Sequence, residues 1–478
     1  MDETDKCDFV IELARRLHQG GATAPRLEDA INAVSRRLGL DTHIWSSPTA
    51  IIATIQPLDA RDHDRTITRV VRLEPGDIHL RRLWRLDDIA ERVASGALSA
   101  AAGKLELQRA TLPDSQRRQW LETVFGFTLA SAGVAGLLKA SVVEMLCAAA
   151  LGLLLGVLAQ LSAGRPRLLA NLDALSAFLV ALLTAWIAHA LAPISSRLVL
   201  TAGLIVLLPG LTLTTAAVEV ASQHLVSGTA RFAGAIAVLL KLAFGALVGT
   251  RLAAALGWDP LAPLSTAQAP WLEPVSLLIA AAAFALLFKA RIRDWWVVYL
   301  AALLSYSCIR IGNPALGPEL GLFVAALVVS ISSNIYARLA RRPGATFRLP
   351  GLILLVPGSV GFRSLYFVFE KDVFLGLDTA FSVVTLIAAL VAGLVLGNSI
   401  LPPRQGMGEG KREKEKGKRC CAPCLCVPGI RYVPTDRQVH AGAAWRVPRL
   451  PRSSASARMF GKCPGPAPER VPSPWHKV

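Results

Sequence analysis

Two proline–glycine pairs, Pro209-Gly210 and Pro357-Gly358, stand in the middle of long apolar segments of this chain. Proline removes a backbone donor and crowds the preceding turn, while glycine tolerates unwound backbone, so each pair reads as a break in a helix. Backbone groups freed at membrane depth persist only where they are buried in protein or line a watery cavity. At such a break the N-terminus of a half-helix offers N–H groups to a carboxylate, and loosened carbonyls serve an ammonium or a cation. One pair alone is better explained by a packing kink; two in register favour a substrate site.

Ionisable residues inside apolar segments are the next candidates, because their burial in a bilayer is costly. Lys241 falls near the middle of the fifth segment and Arg363 about a turn and a half after the second break. For a dicarboxylate these two are the natural cationic partners. Glu144, near the outer end of the second segment, and Glu219, near the inner end of the fourth, suit proton coupling or an ammonium partner. For Glu144, Glu219 and Asp173 an interfacial or loop position is an equal alternative, and for Lys241 a structural ion pair is. In the polar N-terminal region Asp59, Asp62, His63 and Asp64, with His43, Glu74, Asp77 and His79, match no metal or hydrolytic spacing, and a solvated loop is the preferred reading. Cys420, Cys421, Cys424 and Cys426 lack the second spaced pair of a zinc site. Neither a metal nor a cofactor is expected.

The elements that position these residues are duplicated. Gly203-Leu204-Ile205-Val206-Leu207-Leu208-Pro209-Gly210 returns as Gly351-Leu352-Ile353-Leu354-Leu355-Val356-Pro357-Gly358, an offset of 148. The register holds downstream without a gap, aligning Gly228 with Gly376, Gly245 with Gly393 and Gly249 with Gly397. Gly245-xxx-Gly249 and Gly393-xxx-Gly397 are small-xxx-small pairs, read as close helix packing. Lys241 meets Ala389, so that charge is not part of the repeat.

Mean hydropathy is +0.46 and 53% of residues are hydrophobic, and the apolar residues cluster in runs of bilayer-spanning length. Ten spans are expected, near 119–138, 141–160, 172–192, 198–221, 231–256, 271–289, 295–311, 317–338, 348–369 and 373–401. Alternate loops hold thirteen Lys and Arg on one face and five on the other, which puts both termini in the cytoplasm. Five spans per half is an odd number, so the second half enters from the opposite side. The expected fold is an α-helical polytopic membrane protein of two inverted five-span repeats behind a small α+β domain. Its boundaries are 1–118 for the cytoplasmic domain, 119–256 and 257–401 for the repeats, and 402–478 for a disordered basic tail. That tail has sixteen Lys and Arg against five Asp and Glu, so it supplies +11 of the net charge of +17. The charge therefore gives little support to a nucleic-acid partner.

The N-terminal stretches Leu13-Ala14-Arg15-Arg16-Leu17-His18-Gln19-Gly20-Gly21-Ala22 and Arg26-Leu27-Glu28-Asp29-Ala30, followed by Leu38-Gly39-Leu40 and Ser47-Pro48-Thr49-Ala50-Ile51, resemble the threonine/serine exporter family. So do Pro357-Gly358-Ser359 with Arg363, and the closing Ala392-Gly393-Leu394-Val395-Leu396-Gly397. The resemblance covers residues 7 to 401, departs at Val360 where the family tends to have glycine, and has no counterpart for the tail. It implies a polar domain before ten spans and proton-coupled efflux of small hydroxy amino acids. Pro209, Gly210, Pro357, Gly358, Ser359, Arg363 and Lys241 would be the substrate set, with Glu144 and Glu219 coupling protons. The implied partners are a small-molecule substrate, protons and the lipid bilayer, with a homo-oligomer left open. Efflux of a dicarboxylate such as succinate is the first alternative. An uncoupled channel or scaffold, and an enzyme anchored by its membrane part, are the others.

Overall fold

Two helices, a hairpin-led sheet and two more helices form the N-terminal domain. The computed structural model describes residues 3–58, 66–110, 112, 115–259, 261, 268–370 and 372–403. The tail with its cysteines, the loop residues Asp59, Asp62, His63 and Asp64, and Lys371 and Arg404 lie outside the described residues. Helices α1 (Glu3–Gln19) and α2 (Ala24–Arg37) bury apolar stripes that include Phe9, Val10 and Leu13 in the first and Leu27, Ile31 and Val34 in the second. They are followed by Gly21 and Gly39, each at φ +77°, a conformation that suits glycine. Strands β1 (Leu40–Ser47), β2 (Ala50–Pro57) and β3 (Ile67–Arg72) form an antiparallel meander in the order β1-β2-β3. The Pro48-Thr49 turn pairs Ser47 with Ala50, and β2 pairs with β3 from Ala50–Arg72 to Ile55–Ile67.

Helices α3 (Leu80–Ala94) and α4 (Ala100–Ala110) close a core of Phe9, Leu13, Leu27, Ile31, Leu86 and Leu107. Helix α3 begins at Leu80, before the apolar stripe of Leu83, Leu86, Ile89, Ala90 and Val93. Leu80 packs away from the domain core, against Phe284 and Phe288 of the membrane part. His79 caps this helix, its Nδ1 accepting from the Arg82 N–H at 3.3 Å, while His43 is exposed and 3.8 Å from Asp41.

The membrane part comprises α5 (Gln116–Leu137), α6 (Val142–Ser162), α7 (Pro166–Ala170), α8 (Leu172–Ala190), α9 (Ser196–Gly203), α10 (Gly210–Ala221) and α11 (Leu225–Ala255). Then follow α12 (Leu272–Leu287), α13 (Trp295–Leu316), α14 (Pro318–Ala340), α15 (Ala345–Ile353), α16 (Gly358–Phe369) and α17 (Val373–Ile400). Among the described residues eight stretches are long and apolar enough to cross a bilayer: α5, α6, α8, α11, α13 with its leading turn, α14, the α15–α16 pair and α17. This is a multi-pass integral membrane protein. The two other expected spans are shorter. One is split into α9 and α10, and the other is α12, whose 16 residues reach only about 24 Å. Helix α13 runs past the expected end at 311 to Leu316, with Pro314 accommodated in its last turn.

The duplication is visible in the elements. Helices α10 and α16 begin and end 148 residues apart, at Gly210–Ala221 and Gly358–Phe369, and α11 and α17 start at the matching Leu225 and Val373. Gly245 of α11 lies against the Ala174 carbonyl of α8, and Gly393 of α17 against the Phe323 carbonyl of α14. These glycines let the backbones approach, which is the packing reading of both small-xxx-small pairs. Phe374, Phe381 and Val384 on α17 are exposed apolar side chains of the kind that lipid covers.

The N-terminal domain is attached to the membrane part through α3. The Leu80 N–H donates to the Phe288 carbonyl at 3.0 Å, and the buried Arg81 pairs with Glu122 of α5 at 2.9 Å. The Arg291 guanidinium lies 3.9 Å over the Trp84 ring.

Candidate functional site

Both proline–glycine pairs interrupt a helix, and they do so in the same way. Helix α9 ends at Gly203 and α10 starts at Gly210; α15 ends at Ile353 and α16 starts at Gly358. Pro209 has φ −78° and ψ 42°, and Pro357 φ −81° and ψ 36°, outside the helical region. Each proline carbonyl then accepts the first bond of the new helix, from Leu213 and Gly361 respectively, at 3.0 Å.

The two breaks touch. A Cβ placed on Gly358 would stand 2.9 Å from the Gly210 Cα and 3.7 Å from the Leu208 Cβ. A Cβ placed on Gly210 would stand 3.3 Å from the Gly358 Cα and collide with Val356. Leu208 and Val356 are themselves 148 positions apart, so the contact is reciprocal. Only a residue without a side chain permits this approach, which is why glycine is needed at both places.

Beyond the contact the half-helices cross over. Leu211 and Val218 of α10 join a cluster with Leu322, Val329 and Leu390 of the second half. Phe362 and Tyr366 of α16 join one with Val180, Leu239 and Leu242 of the first half. Ser359 is half-buried in the first turn of α16, and Arg363 lies exposed on that helix without an ion pair to a described residue.

The other sequence candidates do not gather at the break. Lys241 is exposed; its ammonium is 3.8 Å from Asp173 and donates to the Ala170 carbonyl at 3.2 Å. The charge is therefore held at the start of α8. Glu144 belongs to a capping box: it accepts from the Ser141 N–H at 2.7 Å, while Ser141 Oγ accepts from the Glu144 N–H. Its other oxygen accepts from the Ser195 N–H at 2.8 Å, just before α9. The Ser141-x-x-Glu144 spacing was the signal for that role.

Glu219 is fully buried at the end of α10. It accepts from Ser227 Oγ at 2.8 Å, lies 3.1 Å from Arg231 Nε, and accepts the Ala24 N–H of α2 at 3.0 Å. The carboxylate thus sits on the N-terminus of a helix in the other domain, where the helix dipole favours it. Beside it, His224 Nε2 is 3.2 Å from Glu28 of α2. Ala24, Ser227 and Arg231 were not anticipated from sequence, since nothing local links α2 to a membrane acid far along the chain.

Residues 8–253 match the family model described as "Putative threonine/serine exporter", and residues 274–400 match "Threonine/Serine exporter, ThrE". Similar curated proteins include the "Pheromone-regulated membrane protein 10" of three yeasts. The Kluyveromyces lactis protein is 23% identical over 368 residues, the Eremothecium gossypii protein 22% over 369, and the Saccharomyces cerevisiae strain YJM789 protein 24% over 365. Each alignment covers 74% of this chain but only 38%, 48% and 46% of the respective relatives, so the chain spans less than half of their length. No solved structure matches.

Proposed function

We propose that this chain, which belongs to the threonine/serine exporter family, is a secondary transporter that exports threonine and serine in exchange for protons. The observation that carries this reading is the reciprocal contact of the two breaks. Contacts in which each half presents the same patch to the other are what a two-fold axis generates. Counting the broken pairs α9–α10 and α15–α16 as one span each gives five spans per half. The second half then enters from the opposite side, and the axis lies in the membrane plane. Inverted halves exchange roles as a site turns from one face to the other. In the state described the breaks are closed on each other. Their separation would bare the first N–H groups of α10 and α16, with the Ser359 hydroxyl beside them, to a substrate carboxylate.

Lys241 is already engaged by Asp173, which leaves a dicarboxylate one cationic partner fewer and so supports an amino acid. Glu219 is the proposed proton-linked group, because protonation there would loosen the attachments of α10 to Arg231 and to α2. The Lys and Arg bias of the loops supports both termini, and the N-terminal domain, on the cytoplasmic side.

The test is counterflow in proteoliposomes holding the full chain, with labelled threonine, serine and succinate, with and without a proton gradient. Threonine and serine should exchange, faster with the gradient, and succinate should not. Glu219→Gln should keep exchange and lose the gradient response. Exchange of succinate alone would establish the dicarboxylate alternative instead, and no counterflow of any solute would leave a channel or scaffold.

A further inference from the structure

A cavity of about 410 Å³ opens where the start of α9, the end of α11, the end of α16 and the start of α17 meet. Its lining carries both signs of charge, Arg197 and Arg251 with Glu370 and Asp372, beside Thr250 and Phe367. The 31 residues of α11 span about 46 Å. Near its start Arg231 meets Glu219 beside the N-terminal domain, and near its end it supplies Thr250 and Arg251. The cavity therefore lies at the membrane face opposite that domain. Between it and the breaks stand Phe362 and Tyr366, stacked at 5.9 Å, one and two turns beyond Gly358. Both are buried, and Tyr366 borders Thr250 and Glu370 of the cavity.

Among the described residues the charges of the cavity are only partly compensated. Arg197 and Glu370 are 3.8 Å apart, beyond hydrogen-bond reach, and the Arg197 guanidinium rests instead over the Phe367 ring at 5.6 Å. Arg251 makes no ion pair with a described residue. Asp372 gives one oxygen to the Leu375 N–H at the start of α17. Among the described residues Arg251 is thus available to a carboxylate, in the same cavity as Glu370, which Arg197 meets only at 3.8 Å and Tyr366 borders, and which can still accept from an ammonium.

We infer that this cavity binds a small α-amino acid as its zwitterion, on the face opposite the N-terminal domain, with the Phe362–Tyr366 pair separating it from the breaks. Arg251, aided by Arg197, holds the α-carboxylate, and Glu370 holds the ammonium. Thr250 and Phe367 border the remaining space. A dicarboxylate would set its second charge against Glu370 and Asp372, and a simple amine would leave Arg251 unmatched, so both are disfavoured. The place of the cavity in a transport cycle rests on the transporter reading; binding to it does not.

The experiment measures binding to the full chain in nanodiscs with three probes: L-threonine, 1-amino-2-propanol, which lacks the carboxylate, and 3-hydroxybutyrate, which lacks the ammonium. Arg251→Gln should weaken threonine about tenfold or more and leave 1-amino-2-propanol unchanged. Glu370→Gln should weaken threonine similarly and leave 3-hydroxybutyrate unchanged. Threonine should also protect Leu375→Cys from an impermeant maleimide added at the face opposite the N-terminal domain. Equal losses for all three probes, or none, would overturn the site. If counterflow fails while the split pattern holds, the cavity stands and the transporter reading falls. Counterflow without the split pattern has the opposite consequence.

Discussion

Glu144 and Glu219 look alike in the sequence, each an acid near the end of an apolar run, yet their surroundings give them different work. Glu144 satisfies the first turn of α6 and the backbone before α9. Glu144→Ala is therefore expected to cost about 1 kcal/mol of stability, read as a lower unfolding temperature in detergent, and to leave the gradient response of counterflow intact. Loss of that response with unchanged stability would make Glu144 a proton carrier after all. The cap was legible in the Ser-x-x-Glu spacing, but an acid in a membrane segment draws a functional reading first. The surroundings of Glu219 were not legible, because its partner Ala24 is brought to it only by the docking of a separate domain. In that same domain burial holds His18 below the usual imidazole value of 6.5, and the nearby Arg231 pushes the same way, outweighing the hydrogen bond to Ser47. The fold thus favours neutral His18, and the unfolded chain takes up the proton first on acidification. Stability contributed by neutral His18 is complete above about pH 6.5 and is lost as pH falls from there through the folded value. His18→Gln, which can still donate to the Ser47 carbonyl, is expected to flatten the stability profile below pH 6.5 in thermal unfolding of the full chain. An unchanged slope would place the titration elsewhere.

At the scale of elements the informative unit is the interrupted helix. The repeated octapeptide made both breaks and their register readable, since proline and glycine act locally. The spans around them were readable from hydropathy, though not their ends, since α13 runs past 311 to Leu316 and stops at Gly317. What no local pattern could give is that α10 packs into the second half and α16 into the first, because that depends on which surfaces meet after folding. The steric consequence is testable. Gly210→Ala and Gly358→Ala each place a methyl against the opposite backbone and are each expected to destabilise by about 1–3 kcal/mol in detergent unfolding. The double variant should cost less than the sum, because one displacement of the two half-helices relieves both clashes. Strict additivity would mean that the two glycines do not share a contact. Gly358→Leu and Gly210→Leu should both abolish counterflow while the protein stays in the membrane. A silent Gly210→Leu beside an inactive Gly358→Leu would confine the site to the second half.

Across the whole molecule, the N-terminal domain has its own core and yet is not an appendage. Helix α3 carries Leu80 into the apolar cluster of α12, and α2 supplies the backbone donor for a fully buried carboxylate. Removal of residues 1–110 is expected to lower the unfolding temperature of the membrane part, and Glu219→Gln should reduce that loss, because the carboxylate that loses its Ala24 donor carries a charge and the amide does not. The same loss with either residue at 219 would show that the docking contributes nothing there. Composition made the two regions readable as distinct but said nothing of this joint, which depends on single residues far apart in the chain. The crossed half-helices go further. Each half lacks part of its own interior and contains part of the other's, so the covalent order of the chain does not coincide with its mechanical parts. Cut within 262–267 and expressed as two polypeptides, the chain should yield fragments that are each insoluble or degraded alone, yet co-purify and exchange threonine when made together.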